Sequence, residues 1–214
     1  MADRRLDELR REYAVGGLDE ADLTPSPVAM FEAWMRDVLR AGLHEPNAMV
    51  LSTVSAQGRP SSRTVLLKGL DEGGFVFFTN YSSRKGTELA ATPRCSLLFL
   101  WHVLERQVRV EGAAMRLSAD ENDAYFWTRP RASQIGAWAS PQSEVVADRS
   151  ALDERYSLLA QRFADERVPR PENWGGYCVE PESVEFWQGR LGRMHDRIRY
   201  RRTPDGWVTE RLAP

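Results

Sequence analysis

Three stretches of the sequence combine residue types suited to gripping phosphate esters and aromatic rings. In the first, Arg63 and Lys68 flank Thr64-Val65-Leu66-Leu67, and Arg84 and Lys85 follow Thr79-Asn80-Tyr81-Ser82-Ser83 at the start of an expected helix. Free N–H groups, serine hydroxyls and cations at a helix N-terminus form a phosphate site without a P-loop. A solvated basic helix end is the other reading of the same residues. By strand parity, Arg63 and Lys68 are expected on opposite faces. The second stretch, Tyr125-Phe126-Trp127-Thr128-Arg129-Pro130-Arg131-Ala132-Ser133-Gln134, mixes rings, guanidinium forks and a hydroxyl. It suits an aromatic phosphate ester, but the residues alone favour a pair of core rings beside a surface arginine loop. In the third, Glu185-Phe186-Trp187-Gln188 precedes Arg193-Met194-His195-Asp196-Arg197, setting one histidine between two cations that favour its neutral form.

Other chemistries lack their residues. No Gly-x-Gly-x-x-Gly follows a strand, no Gly-x-Ser-x-Gly elbow is present, and His44, His102 and His195 lack the spacing and partners of zinc ligands. No metal site is expected. Cys95 and Cys178 fit neither a disulfide framework nor a redox pair and read as buried free thiols.

The elements that position these stretches follow from periodicity. Leu6, Leu9 and Tyr13 predict a short amphipathic helix over 4–13, ended by Gly16-Gly17. After Pro25 and Pro27, the residues Phe31, Trp34, Met35, Val38 and Leu39 share a helical face that stops near Gly42. Short runs rich in Val, Leu, Phe and Thr predict antiparallel strands near 48–54, 62–68, 75–79, 94–100 and 107–117. Helices are expected from Ser83 to about Ala91, from the Ser118/Glu121 capping box through Trp127, and over 150–167, where Leu152, Tyr156, Leu159 and Phe163 align. Strands near 176–180, 184–188, 196–202 and 207–212 complete an α+β class built on an antiparallel barrel with flanking helices.

With 214 residues and 42% hydrophobic content, the chain suits one domain, read as a polar arm over 1–24 and a body over 25–214. A net charge of -2, from 29 basic and 31 acidic residues, gives no field for nucleic acid or an anionic membrane. No apolar run approaches the ~18 residues of a membrane span, and the N-terminus lacks a signal-peptide core, so a cytoplasmic protein is expected.

Nine blocks in order, RREY at 10–13, RTVLLK at 63–68, FFTNYSSRKG at 77–86, LLFLWHVLERQV at 97–108, RPRASQIGAWAS at 129–140, WGGY at 174–177, VEFWQG at 184–189, RMHDR at 193–197 and the terminal ERLAP, resemble the pyridoxamine 5'-phosphate oxidase family over nearly the whole chain. The resemblance implies a split β-barrel homodimer with FMN between its subunits. It implies oxidation of pyridoxamine and pyridoxine 5'-phosphate to pyridoxal 5'-phosphate, with O2 as acceptor and H2O2 as product. By similarity, Arg63, Arg84, Lys85, Gln142 and Ser143 hold the flavin phosphate and ribityl chain. Val65, Leu66, Phe78 and Thr79 border the ring system, with Thr64, Leu67 and Lys68 in the same run and Gln107, Trp187 and Arg197 completing the set. The substrate phosphate falls to Lys68, Tyr125, Arg129 and Ser133, and the pyridine to Arg193, Met194 and His195. Arg10, Arg11, Glu12 and Tyr13 form a lid. Arg197 and His195 are the implied catalytic pair, Arg197 stabilising the developing amine or alkoxide and His195 orienting it.

Phe78 stands where a tyrosine is frequent in that family, Leu100 where a proline is, and Met194 where a leucine is. None of these departures removes a charged ligand. The rival readings are a split-barrel flavoprotein with another substrate, which would not need the Arg129–Ser133 grip, and a non-catalytic flavin or pyridoxal-phosphate carrier. Weakest is a nucleic-acid binder resting on the basic run 193–202.

Overall fold

Two-residue alternation builds the sheet. In β1 (Ala48–Val54), Met49, Leu51 and Thr53 are buried while their neighbours are half-exposed. β2 (Pro60–Leu66), β3 (Gly69–Asp71) and β4 (Gly74–Asn80) follow, with Phe75, Phe77 and Thr79 buried in β4. β5 (Arg94–Trp101) and β6 (Arg106–Arg116) bury Leu97, Phe99, Val108 and Val110, and β7 (Trp174–Gln188), β8 (Asp196–Thr203) and β9 (Gly206–Arg211) end the chain. In this computed structural model, which describes residues 12–14, 16–71 and 73–214, the strands are hydrogen-bonded in the order β2-β1-β5-β6-β7-β4-β3. β8 pairs with β7 and β9 with β8. The α+β, antiparallel expectation holds. The helix expected over 4–13 and the lid residues Arg10 and Arg11 lie outside the described residues, apart from the irregular Glu12–Ala14.

The chain divides into two compact units, neither of them one continuous segment. Unit 1 comprises residues 1–50, 97–111 and 181–214. Its helix α1 (Pro27–Arg40) starts at Ser26, whose hydroxyl accepts from the Ala29 N–H, with Pro27 preset for the first turn. The helix buries Phe31 and Trp34 against Phe99 (4.7 Å between centroids) and Phe186 (5.1 Å). Each such ring contributes roughly 1.5–3 kcal/mol by leaving water. Leu39, expected on the same face, is exposed although Val38 beside it is fully buried, because one residue turns the side chain about 100° round the helix and off the buried stripe. β7 and β8 pair in the register Trp187↔Arg197, which sets two of the expected site residues side by side.

Unit 2 comprises residues 51–96 and 112–180. Its helices are α2 (Arg84–Ala91), α3 (Ala119–Thr128), α4 (Arg131–Ala139) and α5 (Arg149–Arg162). Phe126, Ile135, Phe163, Val168 and Trp174 form its core, with Tyr156 and Leu159 of α5 packed on them. The capping box of α3 is present, Ser118 and Glu121 exchanging hydrogen bonds. Helix α5 ends at Arg162 rather than 167, and the Arg131 guanidinium donates to the carbonyls of Phe163, Ala164 and Glu166 that follow its last turn. In α2, a Cβ on Gly86 would lie 2.2 Å from the Tyr81 carbonyl oxygen, so only glycine allows this close approach.

Candidate active site

Unit 2 encloses a cavity of about 810 Å3 whose cations gather into two groups. The first group comes from the end of β4 and the start of α2. Ser83 caps α2 by accepting from the Gly86 N–H and donates its own proton to the Asn80 carbonyl, so this hydroxyl is spent on the fold. Lys85, only 9% exposed, donates from Nζ to Gln142 Oε1 (2.9 Å) and Thr79 Oγ1 (3.2 Å). Burial lowers its pKa, and the nearby Arg63 charge lowers it further. Arg63 and Arg84 line the same cavity, as do Gln142 and Ser143, the latter held in the left-handed region at φ 77.

The second group is built around three near-parallel rings. Phe78 stacks on Tyr125 at 3.8 Å and on Trp174 at 5.3 Å. The Arg129 guanidinium lies 4.5 Å from the Trp174 ring centroid. Its Nη1 is buried with no hydrogen-bond partner, and burial lowers the arginine's pKa. An unpaired buried guanidinium nitrogen on a cavity wall calls for an anion, since leaving it unmet costs about 1–3 kcal/mol or more. Lys68 and Ser133 line the cavity with it.

Thr64, Val65, Leu66, Phe78 and Thr79 are also on this wall, whereas Leu67 is buried in the core. The expectation that Arg63 and Lys68 face opposite sides is overturned. β2 ends at Leu66, so strand parity no longer applies at Lys68 and both residues line one cavity. Three contributors were absent from the expected set. Trp174 completes the ring stack, Ser61 hydrogen-bonds Arg63 Nη2, and buried Glu88 binds both Arg63 and Arg84. The i,i+4 spacing of Arg84 and Glu88 was the available signal for the last.

Gln107, Trp187, Arg193, Met194, His195 and Arg197 belong to unit 1 and do not line this cavity. Trp187 and His195 pack at 4.6 Å, and Tyr13 meets them edge-on at 5.7 and 5.5 Å. His195 Nδ1 accepts the Arg190 N–H at 3.1 Å, which requires a lone pair there and leaves Nε2 as the ring's donor. Arg197 Nε donates to Glu185 Oε1 at 2.8 Å, and that hydrogen bond raises the pKa of Arg197. Glu185 is buried and also receives Arg109 Nη2 at 2.7 Å. Met194 and Arg193 are exposed, Arg193 with φ 60, and Gln107 is half-buried in β6.

Among the described residues, no group of three or more His, Cys, Asp or Glu could hold a metal, and no helix is long and apolar enough to cross a membrane. Cys95 and Cys178 are free and half-buried rather than buried. Burial pushes their thiols up to about 12 and about 11, with acidic neighbours adding to the second. Neither is a thiolate near neutral pH.

The fold is that of the split-barrel proteins. It matches the crystal structure of PhzG from Burkholderia lata 383 in complex with tetrahydrophenazine-1-carboxylic acid with a TM-score of 0.88 and 33% identity, covering 94% of this chain and 99% of that one. A family profile described as pyridoxamine 5'-phosphate oxidase matches residues 35–161, and one described as pyridoxine 5'-phosphate oxidase C-terminal dimerisation region matches residues 174–214. Proteins named pyridoxine/pyridoxamine 5'-phosphate oxidase are similar along their whole length. The one from Nocardioides sp. is 65% identical over 206 residues (96% of each chain), and the one from Rubrobacter xylanophilus is 58% identical over 213 residues (100% of this chain and 98% of that one). The chain therefore belongs to the pyridoxamine 5'-phosphate oxidase family, a class of oxidoreductases.

Proposed function

We propose that this chain is an FMN-dependent oxidase that converts pyridoxamine and pyridoxine 5'-phosphate to pyridoxal 5'-phosphate. The observation that carries this reading is the pair of cationic groups lining one cavity, suited to two phosphate esters, one on the cofactor and one on the substrate. The unpaired Arg129 nitrogen and the polar set Arg63, Arg84, Lys85 and Gln142 fit the anionic ends of both molecules. Thr64, Val65, Leu66, Thr79 and Ser143 would border the flavin, while Leu67 would support that run from the core. Lys68, Tyr125, Arg129 and Ser133 would grip the substrate phosphate.

When bound, FMN supplies the hydride-accepting chemistry, and O2 takes up the electrons as H2O2. The protein contributes position and charge. Binding energy at the phosphate, remote from the reacting carbon, fixes the substrate for transfer. In unit 1, Arg197 would stabilise the developing amine or alkoxide, and His195 would orient it by donating from Nε2. Trp187 and Gln107 would complete the flavin contacts, and Arg193 and Met194 those of the pyridine. Tyr13, edge-on to both His195 and Trp187, supports a lid role for residues 1–24 with Arg10, Arg11 and Glu12.

The dimerisation-region match over 174–214 supports a homodimer, and the fold's lack of any membrane-crossing helix among the described residues is compatible with work in the cytoplasm. A split-barrel flavoprotein acting on a substrate without phosphate would have no use for the second cationic group. The test is an absorbance spectrum of the purified protein, followed by pyridoxamine 5'-phosphate without oxygen and then air. Flavin bands that bleach and return, with pyridoxal phosphate formed, are expected. Bound flavin indifferent to this substrate, or no flavin uptake, overturns the reading.

A further inference from the structure

Four donors converge on the carboxylate of Glu88. Oε2 accepts from Thr53 Oγ1 (2.5 Å), Ser61 Oγ (2.7 Å) and Arg63 Nη2 (3.2 Å), and Oε1 accepts from Arg84 Nε (2.9 Å). The residue is 5% exposed and is not on the cavity wall, whereas Ser61, Arg63 and Arg84 are. Whatever Glu88 does for a ligand it does through them.

The two arginines come from different elements, β2 and α2, and Glu88 is the acid that joins them. Arg63 gives Nη1 to Leu51 O and Thr53 Oγ1, and Nη2 to Ser61 Oγ and Glu88, so its plane is set from four sides. Arg84 gives Nε to Glu88 and keeps both terminal nitrogens, the fork that matches phosphate geometry. Without the carboxylate, two guanidinium groups and the Lys85 ammonium would repel one another, and Arg84, 60% exposed, would be free to swing into solvent. A buried negative charge weakens the raw field felt by a phosphate. Its benefit is therefore geometric, and orientation is what a planar fork needs. Burial alone would raise the Glu88 carboxyl, but the hydrogen bonds from Thr53, Ser61 and Arg84 outweigh it and hold its pKa down at about 2.

We propose that Glu88 is a positioning residue that holds Arg63 and Arg84 in place for the flavin phosphate, and so sets the preference for FMN over unphosphorylated riboflavin. This rests on the FMN reading above. The test titrates flavin-stripped protein with FMN and with riboflavin, following quenching of flavin fluorescence. Glu88→Gln keeps the side chain's size and removes its charge. Its affinity for FMN is expected to fall about tenfold or more, while riboflavin affinity stays within about twofold. The riboflavin value also reports whether the variant is folded. Should that variant fail to fold, Glu88→Asp, which withdraws the charge by one methylene, is expected to narrow the same ratio. An unchanged FMN-to-riboflavin ratio overturns the proposal. So does tighter FMN binding, the signature of a counter-ion that merely opposes phosphate. If the wild-type protein itself binds both flavins alike, it is the assignment of the phosphate site that fails.

Discussion

On the paired strands that end unit 1, most of the described arginines are neutralised where they stand: Arg197 and Arg109 share Glu185, Arg199 and Arg201 share Glu210, and Arg211 binds Asp196 and Glu20. Among the described residues lining the cavity of unit 2, Arg63 and Arg84 share one acid, Glu88, and Arg129 keeps a buried nitrogen without any partner. Both regions are rich in arginine, yet among the described residues it is the second that holds a buried cationic nitrogen in reserve. Uncompensated buried charge costs stability in the absence of a ligand, and a fold keeps it where a ligand returns that energy. The ion pairs of unit 1 instead hold side chains in fixed directions, as Glu185 does for Arg197.

The sharpest way to break this contrast is to remove Arg197, the unit 1 arginine proposed to act on the developing charge. Arg197→Ala is expected to lower turnover at saturating substrate by roughly 100-fold or more, the scale of losing a charge aimed at a developing anion. FMN retention should change little, because the first cationic group is untouched. Glu185 keeps Arg109 as its partner, so the variant should fold. Unchanged turnover would leave Arg197 as one more structural ion pair.

A second, smaller effect tests the reserve of charge in unit 2. Arg129→Gln removes a cation whose Nη1 has no partner. The KM for pyridoxamine 5'-phosphate should rise roughly 10- to 100-fold, the range for a charged hydrogen bond. Meanwhile the melting temperature of the ligand-free protein should hold or rise, because an unpaired buried cation has been removed. A variant that loses both affinity and stability would show that Arg129 already serves the fold.

The sequence shows these regions unequally. Alternating burial in β1, the face of α1 through Phe31, Trp34 and Val38, and the α3 capping box were all readable, because each is a short-range pattern with one dominant cause. The strands expected near 176–180 and 184–188 are one, β7, which continues through Pro181, paired with β4 on one stretch and with β8 on the other. Helix α4 has no counterpart among the expected elements, and a surface arginine loop was one of the two readings of its first residues. Pro130 sits at the N-cap, where it costs no helical hydrogen bond, and Arg131 is already helical. The cavity itself was legible only in pieces. The residues alone favour a surface arginine loop at Arg129, and it is the family resemblance that turns it into a phosphate ligand. Glu88 was passed over because its partners Thr53, Ser61 and Arg63 are remote in sequence, which no local pattern encodes.

The smallest expected effect concerns pH and separates binding from folding by sign. Burial, and then the charge of Arg63, lower the pKa of Lys85 from the ordinary lysine value of 10.5. As pH rises through that lowered value, the folded protein loses the ammonium while the unfolded chain keeps it. In this window the unfolded state binds more protons, so the stability of the ligand-free protein should rise with pH on account of this group. FMN affinity should move the other way, because the departing charge is one proposed above to meet the flavin phosphate. Binding of FMN should accordingly draw a proton onto Lys85 at alkaline pH, measurable by calorimetry in two buffers of different ionisation enthalpy. In Lys85→Arg, which stays charged throughout, that uptake should vanish. Equal uptake in both proteins would place the titrating group elsewhere in the cavity and remove Lys85 from the charge held in reserve.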